Sequence, residues 1–440
     1  MKRMLYIWFR VLSGLRYGIR KRFTPAGKFV LAGIAASAVF GLDTTRSTVY
    51  QAFTCLAALI AVAFACNISF RAKLTVLRVL PRFGSAGQTL YYRIRVLNSG
   101  NKRLHGLFLL ENLLDPRPSF SDFSRGRFGL KPGYKRWRQF ITMNQQAVAD
   151  RQAMPVLMPG REVEVNAGLV PLKRGRIEFE SMSIGRADPF GLVNALVTLP
   201  PKQHVLILPK RYALPDIKLP GTRAYQQGGI ALSTSVADSE EFQSLREYRP
   251  GDPLRKIHWK SWAKTGKPII KEYQDEFFVR HALILDTFIE SEYSDLLEEA
   301  VSVAASFACT VQTQESLLDL MFVGTEAFCE TIGRGQGQIE RFLEVLACVR
   351  PCTDKPFSVL HRHVVSRRSV ISGCVCVLLS WDKSRSDLIH SLHELGLQTL
   401  VIVITDPERS NMPALEGVQE KPGWLNLLEI GKIEEGLTKL

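Results

Sequence analysis

Three aspartates, Asp286, Asp382 and Asp406, each follow a short apolar run. Carboxylates gathered at strand ends are the groups that hold a hard divalent cation such as Mg²⁺. The runs before them, 282–285, 374–379 and 400–404, alternate with amphipathic helical patterns over roughly 293–312, 337–349 and 385–396. Continuous apolar strands of this kind belong to a mostly parallel sheet covered on both faces. Ligands of such sheets bind beyond the carboxyl ends of the strands, which is where these acids fall. The competing reading is that the acids cap the helices that follow them. Other chemistry is thinner: His361 and His363, and His390 and His393, have ligand-like spacing but no accompanying acid or thiolate motif. The eight cysteines include no CxxC pair, and there is no P-loop, G-x-S-x-G or H-E-x-x-H. His258 lies near Asp252 and Glu247, yet no nucleophile accompanies it, so a hydrolase reading lacks its second half.

The densest cluster of charge lies just upstream. Between 239 and 263, Glu240, Glu241, Glu247 and Asp252 are interleaved with Arg246, Arg249, Arg255, Lys256 and Lys260, and with Phe242, Tyr248, Trp259 and Trp262. A Pro250-Gly251-Asp252-Pro253 turn divides it. Asp238 with Glu241 is a capping-box spacing and predicts a short helix carrying Phe242 and Leu245. Asp252 and Pro253 predict the start of a second helix, closed by Gly266. Such a network is either structural or a docking face for a partner. Burial separates the two, since exposed pairs stabilise by only about 0–1 kcal/mol.

These residues carry a resemblance. Phe242-x-x-Leu245-Arg246-Glu247-Tyr248-x-Pro250-Gly251-Asp252-x-x-Arg255-x-Ile257-x-Trp259, followed by Ala263, Gly266 and a strand ending in Asp286, resembles the signature of the domain-of-unknown-function family 58. The resemblance implies a membrane hairpin, a β-rich domain ending in a DPFGL-like segment (188–192), and an α/β domain similar to von Willebrand factor type A. It also implies a partner class, the MoxR-type AAA+ ATPases. In the type A family the first strand ends in Asp-x-Ser-x-Ser. Here the run is Asp286-Thr287-Phe288-Ile289-Glu290, so both serines are replaced, and no cofactor is expected, Mg²⁺ being the one candidate.

Charge distribution decides what the chain's formal +15 means. From 1 to 82 there are 13 Lys and Arg against one acid, Asp43, which leaves +3 for the other 358 residues. The excess is a membrane signal rather than a nucleic-acid footprint. Residues 49–70 are uncharged and rise about 33 Å as a helix, enough for a hydrocarbon core of about 30 Å. Residues 29–42 form a shorter apolar run that would need snorkelling or thinning to cross. Basic residues flank both runs on the outside, so the positive-inside rule puts both termini in the cytoplasm of a multi-pass protein of a bacterial cytoplasmic (inner) membrane. Before them, Met4, Trp8, Leu12, Leu15 and Ile19 fall on one helical stripe beside Arg3, Arg10 and Lys21, the pattern of a helix lying on anionic lipid.

The expected organisation is a basic interfacial segment (1–28), two transmembrane helices (29–70), a β-sandwich of immunoglobulin-like type (73–209), a linker (210–238), and the signature motif with its α/β domain (239–440). The functional expectation is a membrane-anchored, non-enzymatic scaffold that docks a protein partner through Arg246, Glu247, Tyr248, Pro250, Gly251, Asp252, Arg255 and Trp259. The alternative is a metal-dependent binding module or hydrolase built on Asp286 and Asp382.

Overall fold

The structure is a computed structural model that describes residues 2–40, 47–68, 70–124, 133–215, 241–252, 254–274, 280–289, 294–311, 317–332, 336–406 and 423–440. The chain divides into two compact units, 1–210 and 211–440.

The first unit begins with three helices, α1 (Lys2–Arg22), α2 (Pro25–Phe40) and α3 (Ser47–Ile68). By length and composition one of them, α3 over Thr48–Ile68, is apolar enough to cross a membrane. α2 has 16 residues, a rise of about 24 Å that falls short of a bilayer core of about 30 Å. Of the two transmembrane helices expected, α3 has the length to cross and α2 is the shorter one, as the run at 29–42 suggested; 41–46 lie outside the described residues. The two helices pack on each other, with Leu56 against the open face of Gly33.

After α3 the period changes to two. Strands β1 (Leu74–Val79), β2 (Phe83–Ser85), β3 (Leu90–Asn98) and β4 (Leu107–Leu113) precede two short helices, α4 (Phe120–Ser124) and α5 (Tyr134–Asn144). Strands β5 (Ala147–Ala149), β6 (Gln152–Ala153), β7 (Glu162–Pro171), β8 (Gly175–Ala187), β9 (Asn194–Leu199) and β10 (Gln203–Leu208) complete the unit. One sheet runs β1-β3-β7-β5, the other β2-β10-β8-β4-β6 with β9 also on β8. Alternation in β3 sends Tyr92, Ile94 and Val96 inward, where they share one core with Leu109, Ile177, Phe179, Met182 and Ile184 of the second sheet. A buried polar network also joins the sheets. Arg78 of β1 donates to both oxygens of Glu111 of β4 at 3.0 and 2.6 Å, and Tyr92 donates to Glu111 at 3.0 Å. Burial, then the Glu111 charge, pushes the Tyr92 phenol far above its ordinary value.

In the second unit, β11 (Glu241–Glu247) pairs antiparallel with β12 (Ile269–Gln274) around a helix α6 (Trp259–Thr265). The main sheet comprises β13 (Arg280–Leu285), β14 (Leu317–Val323), β15 (Ala327–Ile332), β16 (Gly373–Leu378), β17 (Gln398–Thr405) and β18 (Leu425–Glu429). Its order is β15-β14-β13-β16-β17-β18, and all neighbours are parallel except β14 and β15. Helices α7 (Asp295–Val311), α8 (Gln336–Cys348), α9 (Ser358–Val365), α10 (Lys383–Glu394) and α11 (Ile433–Leu437) accompany it. Ala282, Ile284, Cys374, Cys376, Val401 and Val403 face one way, against Leu360 and Val364 of α9 and Leu388, Ile389 and Leu392 of α10. Their alternates Leu283, Leu285, Val375, Val377 and Ile402 are equally buried and face the other way, where α7 lies on β13, β16 and β17. Burial pushes the Cys374 thiol up to about 12, so it packs as an apolar group.

Candidate functional site

The strand-end edge of the main sheet brings Asp286 and Asp382 together, as the sequence suggested, but through a residue it did not single out. Asp286 follows β13 and is wholly buried. Its Oδ1 accepts from the Phe288 N–H at 2.9 Å, and its Oδ2 accepts from the Leu379 N–H at 3.1 Å and from Arg385 Nε at 2.6 Å. Asp382 caps α10, accepting from the Arg385 N–H at 3.0 Å, while its Oδ2 accepts from Arg385 Nη1. Arg385 Nη2 donates to the Phe288 carbonyl at 3.2 Å, and the guanidinium lies 4.8 Å above the Phe357 ring.

A cation therefore sits between the two carboxylates, and it is the protein's own. Burial raises the Asp286 carboxyl above its ordinary value, opposed by Arg385 and the two backbone donors. Burial works against the Arg385 charge too, but Asp286 and Asp382 outweigh it and raise its pKa. Thr287, one position after Asp286, turns its hydroxyl to the Val323 carbonyl, and Phe288 packs edge-on against Phe357. These residues do not fit Mg²⁺: three donors already fill Asp286, the hydroxyl is committed to backbone, and a phenylalanine stands where an oxygen ligand would be needed. Among the described residues no group of three or more His, Cys, Asp or Glu side chains is placed to hold a metal ion. Glu290 lies outside them.

The signature segment takes a different form from the two helices expected of it. Residues 241–247 are strand β11, with a bulge between Phe242 and Ser244, because pairing with β12 supplies every other backbone group with a partner. Asp238 and Pro253 lie outside the described residues. The second helix is shorter than expected: a single 3₁₀ turn (Leu254–Lys256), then α6, closed as anticipated by Gly266 in the left-handed region. Asp252, expected to cap that helix, is bonded back to the turn before it. It accepts from Arg246 Nη1 and Nη2 at 2.7 and 2.8 Å and from the Arg249 N–H at 2.9 Å, clamping the turn in which Gly251 adopts φ 107°. The Arg246 hydrogen bonds, then that of Arg249, hold its carboxyl down at about 2.

Around this clamp the segment is open. Glu247 pairs with Lys267 at 3.1 Å with both side chains about 70% exposed. Pro250 and Lys260 are exposed, Tyr248 is half-buried, and its N–H donates to the Pro268 carbonyl at 2.9 Å. The Arg255 side chain lies outside the described residues. Trp259 is 64% exposed and stacks on Trp262 at 5.3 Å, while Leu245 and Leu254 are 43% and 65% exposed. Ile257 and Ile270, which form an antiparallel bridge, are the buried anchors among the side chains described here. His258 points to Ser261, its Nδ1 2.6 Å from that hydroxyl, and His393 lies 2.6 Å from the Thr399 hydroxyl, so each histidine has a structural partner.

Arg385 is the residue that sequence reasoning missed. Its spacing of three from Asp382 at a helix start was visible, but its reach to Asp286 depends on β13 and β16 being neighbours.

Comparison with known proteins agrees with the segment singled out. The model of a family described as "Protein of unknown function DUF58" matches residues 244–421. A protein of Bacillus subtilis (strain 168), "Uncharacterized protein YeaD", is 23% identical over 262 residues, 59% of this chain and 63% of that protein. The chain thus spans less than two thirds of that relative. Among solved structures, the CARDB domain of the PF1109 protein from Pyrococcus furiosus is 13% identical, with 31% of this chain and 89% of that chain covered and a TM-score of 0.17. A beta-glucosidase from Listeria innocua is 10% identical, with 31% and 16% covered and a TM-score of 0.16.

Proposed function

We propose that the chain is a membrane-anchored, non-enzymatic scaffold whose second unit docks a protein partner through the signature segment. The observation that carries this reading is the exposure of Trp259 and Leu254 in a segment whose backbone is clamped by Arg246 and Asp252. A large aromatic held at the surface at the start of α6, just after a clamped turn, adds little to stability and is the kind of anchor that interfaces use. From 254 to 271 there are six Lys and Arg and no acid, so the face suits a partner with an acidic surface. The family resemblance supports a MoxR-type AAA+ ATPase as that partner and a von Willebrand type A-like relationship for the main sheet. In this reading α2 and α3 form a membrane hairpin with both termini in the cytoplasm, and a reporter fused at position 45 reports the far side.

The test is capture of a purified MoxR-type ATPase from the same organism by the full chain in detergent. Trp259→Ala is expected to weaken capture at least about tenfold, the scale of a central aromatic anchor. Undiminished capture by folded Trp259→Ala protein overturns the assignment of this face.

A further inference from the structure

The first helix has two apolar faces, and the fold uses one. Tyr6 and Phe9 are buried against Phe123 of α4 and Trp137 of α5, with ring centroids 5.6–6.2 Å apart. Polar contacts fasten that side as well: Tyr6 donates to the Pro118 carbonyl at 3.3 Å, Arg16 to the Tyr134 hydroxyl at 3.4 Å, and Lys21 to Asn112 at 2.7 Å. The helix cannot roll to hide its other side. On that side Met4, Ile7, Trp8, Val11 and Leu15 follow a spacing of three and four and are 53–76% exposed.

Where α1 starts from decides what that face meets. Its C-terminal end runs into Phe23 and Thr24, which bond to the 188–192 turn: Thr24 donates to the Gly191 carbonyl at 2.5 Å, and Phe23 bridges to Val193. The same turn packs on the last turns of α3, with Leu192 and Val193 against Ala63 and Ile60, and Asn67 donating to the Val193 carbonyl at 3.2 Å. Asp188 shapes the turn by accepting from the Leu192 and Val193 N–H groups at 2.6 and 2.7 Å. Contact there is so close that a Cβ on Gly27 would lie 2.0 Å from the Leu192 carbonyl oxygen. α1 thus leaves from the end of α3, the helix among the described residues long enough to span, at the level where such a span meets headgroups. Residues 2–28 carry eight Lys and Arg and no acid.

We propose that the outer face of α1 seats in the headgroup region of an acidic lipid bilayer and that α1 thereby straps the first unit to the membrane surface. Apolar side chains enter the acyl boundary while the flanking Arg3 and Arg22, both exposed, meet anionic headgroups. The 188–192 turn is the corner bracket that fixes the angle between strap and span. This rests on α3 being membrane-embedded, as the proposed function holds, and the experiment separates the two.

The full chain is reconstituted into bilayers whose acyl chains are brominated near the headgroup, made with phosphatidylglycerol or with phosphatidylcholine alone. The emission of Trp8 is taken as the difference between wild type and Trp8→Phe, a change at a 59% exposed position that keeps an aromatic ring beside Phe9. Quenching of that component at least about twofold stronger with phosphatidylglycerol is expected from attraction of the flanking cations to acidic lipid. Equal quenching in the two bilayers overturns the acidic-lipid assignment, and no quenching in either overturns the lipid assignment, leaving a second protein or copy as the occupant. Alkaline carbonate extraction of the same samples reports on α3. A chain that resists carbonate with Trp8 unquenched loses the strap and keeps the span. A chain stripped by carbonate with Trp8 quenched before stripping loses the span and keeps the strap.

Discussion

Two of the aspartate–arginine pairs in the second unit, Asp286 with Arg385 at 2.6 Å and Asp252 with Arg246 at 2.7 Å, do opposite things. The first is sealed: Asp286 is 0% and Arg385 8% exposed, and each of the three guanidinium nitrogens has an oxygen partner. The second stands at the surface with Arg246 one-third exposed, on a hairpin whose tryptophan faces solvent. Distance alone does not distinguish them. Surroundings do, because a charge pair out of water is costly to break and one in water is cheap. The lesson is that the edge of the sheet has closed over its own cation, whereas the signature segment has spent its specificity on presenting a shape.

That contrast can be broken most forcefully at the sealed pair. Arg385→Ala leaves Asp286 buried without its cation, with an expected loss of about 3–5 kcal/mol, and Asp286→Ala, which leaves Arg385 its pair with Asp382, is expected to cost less. The double change Asp286→Leu with Arg385→Met is expected to cost less than either single change, since no charge is stranded. Chemical denaturation of the full chain in detergent reads both, and a double variant as unstable as the sum of the singles would mean that the pair does more than neutralise itself.

Trp259→Ala sharpens the other side of the comparison. Only the stack on Trp262 is lost from the folded state, so a change of about 1 kcal/mol is expected in the same unfolding measurement. A loss as large as that of Arg385→Ala would show that the indole is covered in the folded protein and that the docking face lies elsewhere.

The smallest effect is a titration. With its carboxyl held down at about 2, Asp252 contributes to stability above the ordinary carboxylate value of about 3.9 and loses that contribution as pH falls toward 2. The ¹³C carboxyl resonance that disappears in Asp252→Asn is expected to titrate below the ordinary carboxylate value of about 3.9. A midpoint at the ordinary value would mean that the clamp does not persist in solution.

The sequence by itself determined much of the local order. Apolar runs of four to six residues separated by amphipathic stretches read as buried parallel strands, and the run at 374–379 and the helical pattern at 337–349 appear as strand and helix within a residue or two of expectation. Gly266 ended a helix where its tolerance of positive φ requires. The uncharged stretch before Ile68 became the one helix among the described residues that is long and apolar enough to span. Local pattern misled at 241–247, where an i, i+3 spacing suited a helix but a strand 25 residues downstream offered a ladder. Strand β15 and helix α9 went unread because short, mixed segments take their form from what they pack on.

Tertiary structure alone decided which charges are hidden. Arg385 lies 99 residues from Asp286, and Glu111 lies 33 from Arg78; neither partnership is written in spacing. It also decided which face of α1 and which tryptophan of the signature segment remain exposed. The physical reason is common to all of these. Periodicity fixes which side of an element is apolar, but only the neighbours that fold against it determine which apolar or charged side is taken out of water.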